Sequence, residues 1–440
     1  MKLMKDSVMM EIIEYPGRFR WDEICARPAL MQGEREAIVR EIIREVRSGG
    51  DAALKALTLK YDGVKIDNLR VIEKEFSRAC PLVCEELKEA IGIAAANIAK
   101  FHSLQGYADI CTETSKGIIC KRISRPVKRV GLYIPGGSAP LFSTLLMLGI
   151  PAKIAGCREI TIFTPPRKDG GVSPEILYTA ELIGLKDIVK AGGAQAVAAM
   201  AYGTESVRRV DKIYGPGNSF VTEAKLQVSR DVEIDMAAGP SELMVIADDS
   251  ANCGFIAADL LSQAEHGPDS QLFLLTSSKE IALGVLEELT GQLNRLPRRE
   301  IASKALANGK IVILEGIDEM TDFANLYGAE HLMLSVKDAG RIADKVENAG
   351  SIFLGNWSPE SAGDYLSGTN HTLPTYGRTR ACGGVILESF MHTVTIQEIS
   401  REGLISAGGA VEVMAEAEGL AGHKNAVSVR LEQLKTLEKL

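Results

Sequence analysis

Between residues 35 and 102 the apolar positions recur at helical spacing. Ile38, Val39, Ile42, Ile43 and Val46 fall three and four apart over Arg35–Val46, which predicts an amphipathic helix stopped by Gly49-Gly50. Asp51 is placed to cap a second helix to about Tyr61, and a further helix is expected from about Pro81 to His102. From Val127 the pattern changes to short β-rich runs that alternate with helical stretches across glycine turns. Val130–Ile134 leads through PGGSAP into an apolar helix Leu141–Leu148, and Glu159–Phe163 precedes a helix near Pro174–Leu185. Asp187–Ala191 enters GGAQAVAAMA, and Val210–Asn218 enters a helix at Ser219–Val228. Four strand–turn–helix units in succession predict a parallel sheet with helices on its faces. The alternation resumes with Glu242–Ala247 and a helix Cys253–Ala264, then Gln271–Thr276 and a helix Ile281–Leu293, then Ile311–Leu314, His331–Val336 and Ser351–Gly355.

The expected fold class is therefore α/β, with two Rossmann-like doubly wound units, one inserted in the other. The junctions are the break near Val127 and the AAGPSE segment at Ala237–Glu242. The expected domains are an N-terminal arm (1–27), a discontinuous first Rossmann-like unit (28–128 and 239–384), a second such unit (129–238) and a small helical C-terminal domain (385–440). The 440 residues suit two to three domains, given about 150 residues per domain.

Charge narrows the partners. Fifty Lys and Arg against 58 Asp and Glu leave a net −8, which argues against nucleic-acid binding, since that needs clustered positive charge. The eight cysteines are scattered without a CxxC pair, as expected of free thiols in a reducing compartment. The N-terminus carries Asp6, Glu11 and Glu14 within its apolar stretch and does not read as a secretory signal. The longest apolar run, near Pro140–Gly156, is interrupted by Ser143, Pro151 and Lys153 and is too short to span a bilayer. A cytoplasmic protein is the expectation.

Six histidines are present, and four stand in polar, glycine-bearing contexts. SQAEHGPDS puts Gln263 and His266 three apart at a helix end, where an amide oxygen and an imidazole can meet one cation; the alternative is a histidine at the negative end of a helix dipole. SPESAGDYLSGTNHTLPT supplies Asp364 and His371 on a loop, and EGLAGHKNA supplies Glu418 and His423. GAEHLML sets Glu330 beside His331 before a strand: two proton acceptors suited to alcohol oxidation followed by activation of water, or else a plain surface dipeptide. Neither GxGxxG nor GxxxxGK[ST] occurs. The turns GGAQAV and GPGN could bring main-chain N–H groups to a pyrophosphate, or serve only as tight βα turns.

Taken together, VGLYIPGGSAPL, GGAQAVAA, DKIYGPGNSFVTEAK, AGPSELMVIAD, DLLSQAEHGPDSQ, EHL, SAGDYLSGTNHTLPT and EGLAGHKNAV resemble the histidinol dehydrogenase family, from about Arg35 to Arg430. The resemblance implies oxidation of L-histidinol to L-histidine through L-histidinaldehyde, the last steps of histidine biosynthesis, with two hydride transfers to NAD⁺. It implies one Zn²⁺ per subunit held by Gln263, His266, Asp364 and His423, with His423 supplied by the other subunit of a homodimer. His331 would be the general base of the alcohol step, and Glu330 would activate water in the aldehyde step. Ser241, His371 and Glu418 match substrate contacts, and the zinc ligands and His331 also border the substrate. Tyr133, Gln195 and Asn218 match NAD contacts, which makes 129–238 the NAD-binding unit. The chain departs from the family pattern at Gly328-Ala329 (usually Ala-Pro), at Met236-Ala237-Ala238 (commonly Met-Pro-Ala) and in the looser ACGGVILESF segment. Other readings are a paralogue oxidising a different alcohol, a zinc hydrolase that turns over without nicotinamide, and a non-catalytic zinc protein indifferent to loss of Glu330 and His331.

Overall fold

The computed structural model of the chain describes residues 10–28, 33–136, 140–237 and 239–437. Asp6, residues 137–139 of the PGGSAP turn and Ala238 of the AAGPSE junction lie outside the described residues. The strands, in chain order, are β1 (Glu11–Glu14), β2 (Ile110–Ser115), β3 (Ile118–Pro126), β4 (Arg129–Tyr133), β5 (Glu159–Thr164), β6 (Ile188–Lys190), β7 (Lys212–Tyr214), β8 (Glu233–Ile234), β9 (Glu242–Ala247), β10 (Gln271–Thr276), β11 (Lys310–Ile313), β12 (Ala329–Ser335), β13 (Ala349–Leu354) and β14 (Met391–Ile399). The expected α/β class is found, with two parallel doubly wound sheets.

One sheet has the order β1-β11-β10-β9-β12-β13, all parallel. Its central strands read as continuous apolar runs because helices cover both faces, and every residue of β9, β10 and β12 is buried. The chain winds outward from β9 to β11, then returns to lay β12 on the other side of β9. The switch point of this sheet thus lies between β9 and β12. The second sheet has the order β6-β5-β4-β7-β8, also parallel, with its switch point between β4 and β7.

The helices before β2 depart from the expected grouping of 28–128 with 239–384. Val39, Ile42, Val46, Leu54 and Leu57 pack against Ala194, Val197 and Val221 of the second sheet's helices. Gly50, at φ 52° and ψ −135°, breaks the long stretch Gly33–Asp62 where the glycine pair predicts a stop. Among the described residues Asp51 makes no side-chain capping bond to its own helix. Its carboxylate accepts instead from the Thr204 and Ser206 hydroxyls, tying the break to the loop after Tyr202.

The chain divides into two compact units: 1–104 with 128–387, and 105–127 with 388–440. The smaller unit corrects two expectations. Residues 105–127 do not join the first Rossmann-like unit, because β2 and β3 form an antiparallel sheet with β14 in the order β14-β3-β2. For the same reason the C-terminal domain is not purely helical: β14 precedes the packed pair of helices Arg401–Ala417 and Ala421–Leu437. No apolar run marks residues 391–399 in the sequence, because nearly all are exposed and mix Thr, Gln and Glu with Val and Ile. Among the described residues no helix is long and apolar enough to cross a membrane.

Candidate active site

Glu330 and His331 are the second and third residues of β12. Both are buried, at 7% and 4% exposure, so the surface-dipeptide alternative fails. The helix Ile317–Tyr327 ends just upstream with Gly328 in the left-handed region at φ 63°, a helix stop that glycine adopts without strain. Both side chains then bond to a single residue of the neighbouring strand. The main-chain N–H of Glu242 donates to Glu330 Oε2 at 2.9 Å, and His331 Nδ1 donates to the Glu242 carbonyl at 3.2 Å. A carbonyl only accepts, so the Nδ1 proton is assigned and Nε2 is left as the basic nitrogen. Nε2 is buried and has no hydrogen-bond partner among the described residues. Burial lowers the His331 pKa to about 4 and raises that of the Glu330 carboxyl well above the usual carboxylate range, with Glu242, Asp364 and Glu360 adding to the latter.

Asp364 gathers the imidazoles. It sits in the short helix Glu360–Tyr365, with its carboxylate 3.9 Å from His266 Nε2, 4.0 Å from His331 Nε2 and 3.9 Å from His371 Nδ1. His371 is oriented from both ring nitrogens: Nδ1 donates to the Asp364 carbonyl at 3.0 Å, and Nε2 accepts from the Thr144 hydroxyl at 3.1 Å. Gln263, near the end of the helix Cys253–Ala264, is 1% exposed, and its Oε1 has no partner among the described residues. His266 follows just beyond that helix with a half-exposed side chain.

The residues fit a divalent cation on three grounds. Gln263 carries an orphaned, buried carbonyl oxygen, which is costly without a partner. His266 and Asp364 present a nitrogen and an oxygen at a separation that bonds of about 2 Å can bridge. Burial also raises Glu360 to about 8, with the Asp364 and Asp259 charges adding to it, and raises Asp259 to about 6; a cation would favour the ionised forms.

Glu360 is the residue that the sequence reading missed. It is 1% exposed and accepts from Ser262 Oγ at 2.9 Å, while its Oε1, unpartnered among the described residues, lies 3.7 Å from His331 Nε2. His331, Glu360 and Asp364 form a cluster whose donor atoms all lie within 4.8 Å of one another. The signal was available: Glu360 and Asp364 are four apart, hence on one face of a helix, directly after Pro359. Ser241 immediately precedes β9 and is partly buried, and its carbonyl accepts from the Gln271 N–H at 2.9 Å. Glu418 and His423 belong to the other compact unit, where both are exposed. Glu418 ends the helix Arg401–Ala417, and His423 lies in the first turn of the next helix.

The three residues matched to a nucleotide gather at the carboxyl edge of the second sheet. Tyr133 ends β4, Gln195 lies in the first turn of the helix after β6, and Asn218 follows β7. The switch point between β4 and β7 is where open α/β sheets take ligands. The Tyr133 hydroxyl accepts from the Gly193 N–H at 3.1 Å, and Asn218 caps the helix Ser219–Val228 by accepting from Phe220 and Val221 N–H at 3.0 and 3.1 Å. Gly215, at φ 122°, packs so closely on the Tyr133 carbonyl that no side chain fits there. The other site lies at the opposite, amino edge of its sheet. Side-chain hydrogen bonds join the two regions: Thr144 to His371, and the Asn370 amide donating to the Met147 carbonyl at 2.6 Å, both to the helix that follows β4.

Known proteins resemble this chain in sequence and in fold. A family model described as histidinol dehydrogenase matches residues 25–431. A histidinol dehydrogenase of Bacteroides thetaiotaomicron is 52% identical over 428 residues, covering 97% of this chain and 100% of that protein. One from Vibrio vulnificus is 53% identical over 417 residues, covering 94% of this chain and 96% of that protein. The crystal structure of histidinol dehydrogenase from Elizabethkingia anophelis superposes with a TM-score of 0.95 at 48% identity, covering 98% of this chain and all of that one. With matches that span nearly its whole length, the chain belongs to the histidinol dehydrogenase family.

Proposed function

We propose that this chain oxidises L-histidinol to L-histidine through L-histidinaldehyde, closing histidine biosynthesis as a cytoplasmic homodimer. The observation that carries this reading is the polarity of His331: with Nδ1–H given to the Glu242 carbonyl, Nε2 is a bare base that faces Asp364 and Glu360. In the first oxidation Nε2 takes the hydroxyl proton of the substrate as the carbinol carbon gives up hydride. In the second, Glu330 takes a proton from the water that adds to the aldehyde; NAD⁺, when bound, would supply the hydride acceptor for each oxidation. A carboxyl pushed upward by burial is the stronger base once ionised, which suits that task.

Gln263, His266 and Asp364, with His423 of the partner subunit, would hold Zn²⁺. Bound there, the metal would anchor an amino alcohol through its imidazole and amine and act as a Lewis acid. Ser241, His371 and Glu418 would contact the substrate, and Tyr133, Gln195 and Asn218 the dinucleotide. Thr144 supports a route between the two regions, since it orients His371 from the helix that follows the Tyr133 strand. The test is NADH release from histidinol by the purified protein, run beside simple alcohols and beside an ester without nicotinamide. Turnover of the ester alone would reject the reading in favour of a hydrolase.

A further inference from the structure

We infer that Arg27 is a positioning residue for the Glu330–His331 pair and acts through Glu242; the inference rests on the dehydrogenase reading above. The Arg27 guanidinium grips the Glu242 carboxylate by two bonds, Nε to Oε1 at 2.6 Å and Nη2 to Oε2 at 2.9 Å. Nη2 also donates to the carbonyls of Tyr327 and Gly328 at 3.0 and 3.3 Å. The guanidinium lies over the Tyr327 ring, 3.9 Å from its centroid. The Glu242 side chain is fully buried and is further held by the Tyr376 N–H at 2.9 Å.

One cation therefore ties the first residue of β9 to the two peptides that lead into β12. Those strand starts are the same two that meet at the candidate site. The N–H and C=O of Glu242 hold Glu330 and His331, so the orientation of that one residue sets where both basic atoms point. Without the guanidinium, Glu242 becomes a buried carboxylate held by the Tyr376 N–H, and its backbone moves to find another partner or water. Lysine cannot substitute, because a single ammonium does not match a carboxylate bidentately while reaching two carbonyls. Nothing in the sequence marks Arg27 for this role, since it lies 215 and more residues from the groups it joins.

The experiment compares wild type with Arg27→Lys, Arg27→Ala and the double variant Arg27→Gln/Glu242→Gln, each zinc-loaded and full length, with histidinol and NAD⁺. A wild type that releases no NADH overturns the dehydrogenase reading itself. With the wild type active, Arg27→Lys and Arg27→Ala are expected to lose about tenfold or more in kcat, since small misplacements of reacting groups cost that much, while both KM values stay within about threefold. Bound zinc per chain is expected to stay at the wild-type value. Guanidinium chloride is expected to restore part of the kcat of Arg27→Ala and not to raise that of wild type. If Arg27→Ala does not fold, the double variant removes the buried charge with its partner, and its kcat is still expected to fall about tenfold because the fork is gone. A folded variant with wild-type kcat, or a loss that only tracks the folded fraction or the zinc content, overturns the positioning role.

Discussion

His331 donates its Nδ1 proton to the main-chain carbonyl of Glu242 at 3.2 Å, and this bond decides which ring nitrogen is available as a base. The neighbouring Glu330 takes the N–H of the same residue. Two adjacent side chains are thereby held by the two sides of one amino acid on the next strand, yet the proposed mechanism gives them two different proton transfers. Separate removal is expected to show this. His331→Ala should lower both oxidations by about 10²- to 10⁴-fold, the usual worth of a positioned acid–base group. Glu330→Gln should lower aldehyde oxidation by a similar factor and alcohol oxidation far less. Assays started from histidinol and from histidinaldehyde separate the steps, and equal losses for Glu330→Gln would refute the division of roles.

Gln263 is buried with its carbonyl oxygen unpartnered among the described residues, so its replacement should matter to a cation more than to the fold. Gln263→Ala and His266→Ala are expected to fold and to bind zinc at least about tenfold more weakly, as is common when one ligand or its support is lost. Competition with a chromophoric chelator measures this without any turnover. Unchanged zinc affinity in both variants would place the metal elsewhere.

Glu418 and His423 are exposed in the smaller unit, and the proposed sharing of a site between subunits is testable by mixing. His423→Asn and His266→Asn should each be inactive alone. After subunit exchange between them, one of the two sites in a hybrid dimer carries both wild-type histidines, so activity should return to as much as about a quarter of the wild-type value. Absence of recovery, once exchange is verified with tagged subunits, would assign His423 to its own chain's site or to none.

Asn218 has a structural role in the fold and, in the proposed reading, a second one toward the dinucleotide. Its oxygen caps the helix Ser219–Val228, so Asn218→Ala should cost about 1 kcal/mol of stability. If the same segment also receives the dinucleotide, KM for NAD⁺ should rise while that for histidinol stays put. Chemical denaturation and the two KM values together check it. A wild-type denaturation midpoint would refute the capping role.

What was legible in the sequence follows burial. Strands such as β9 and β10, covered on both faces, are continuous apolar runs bounded by turn residues, and their limits were read to the residue. β2, β3 and β14 are exposed or half-buried and carry mixed polarity, so they left no run to read, and with them went the boundary of the smaller unit. Among the candidate groups, the histidines stood out because they are scarce. Glu360 did not, since one glutamate among many reveals itself only when a fold buries it beside His331. Arg27 was illegible for a related reason, as its partners are distant in sequence and two of its four bonds go to main-chain carbonyls, which no residue type encodes.

The most direct measurement is the stoichiometry of NADH formed from a limiting amount of L-histidinol, with and without a chelator. The account predicts two NADH per histidinol, no NADH after the metal is stripped, and recovery when Zn²⁺ is added back. One NADH with free aldehyde accumulating, or undiminished turnover in the stripped protein, would contradict it.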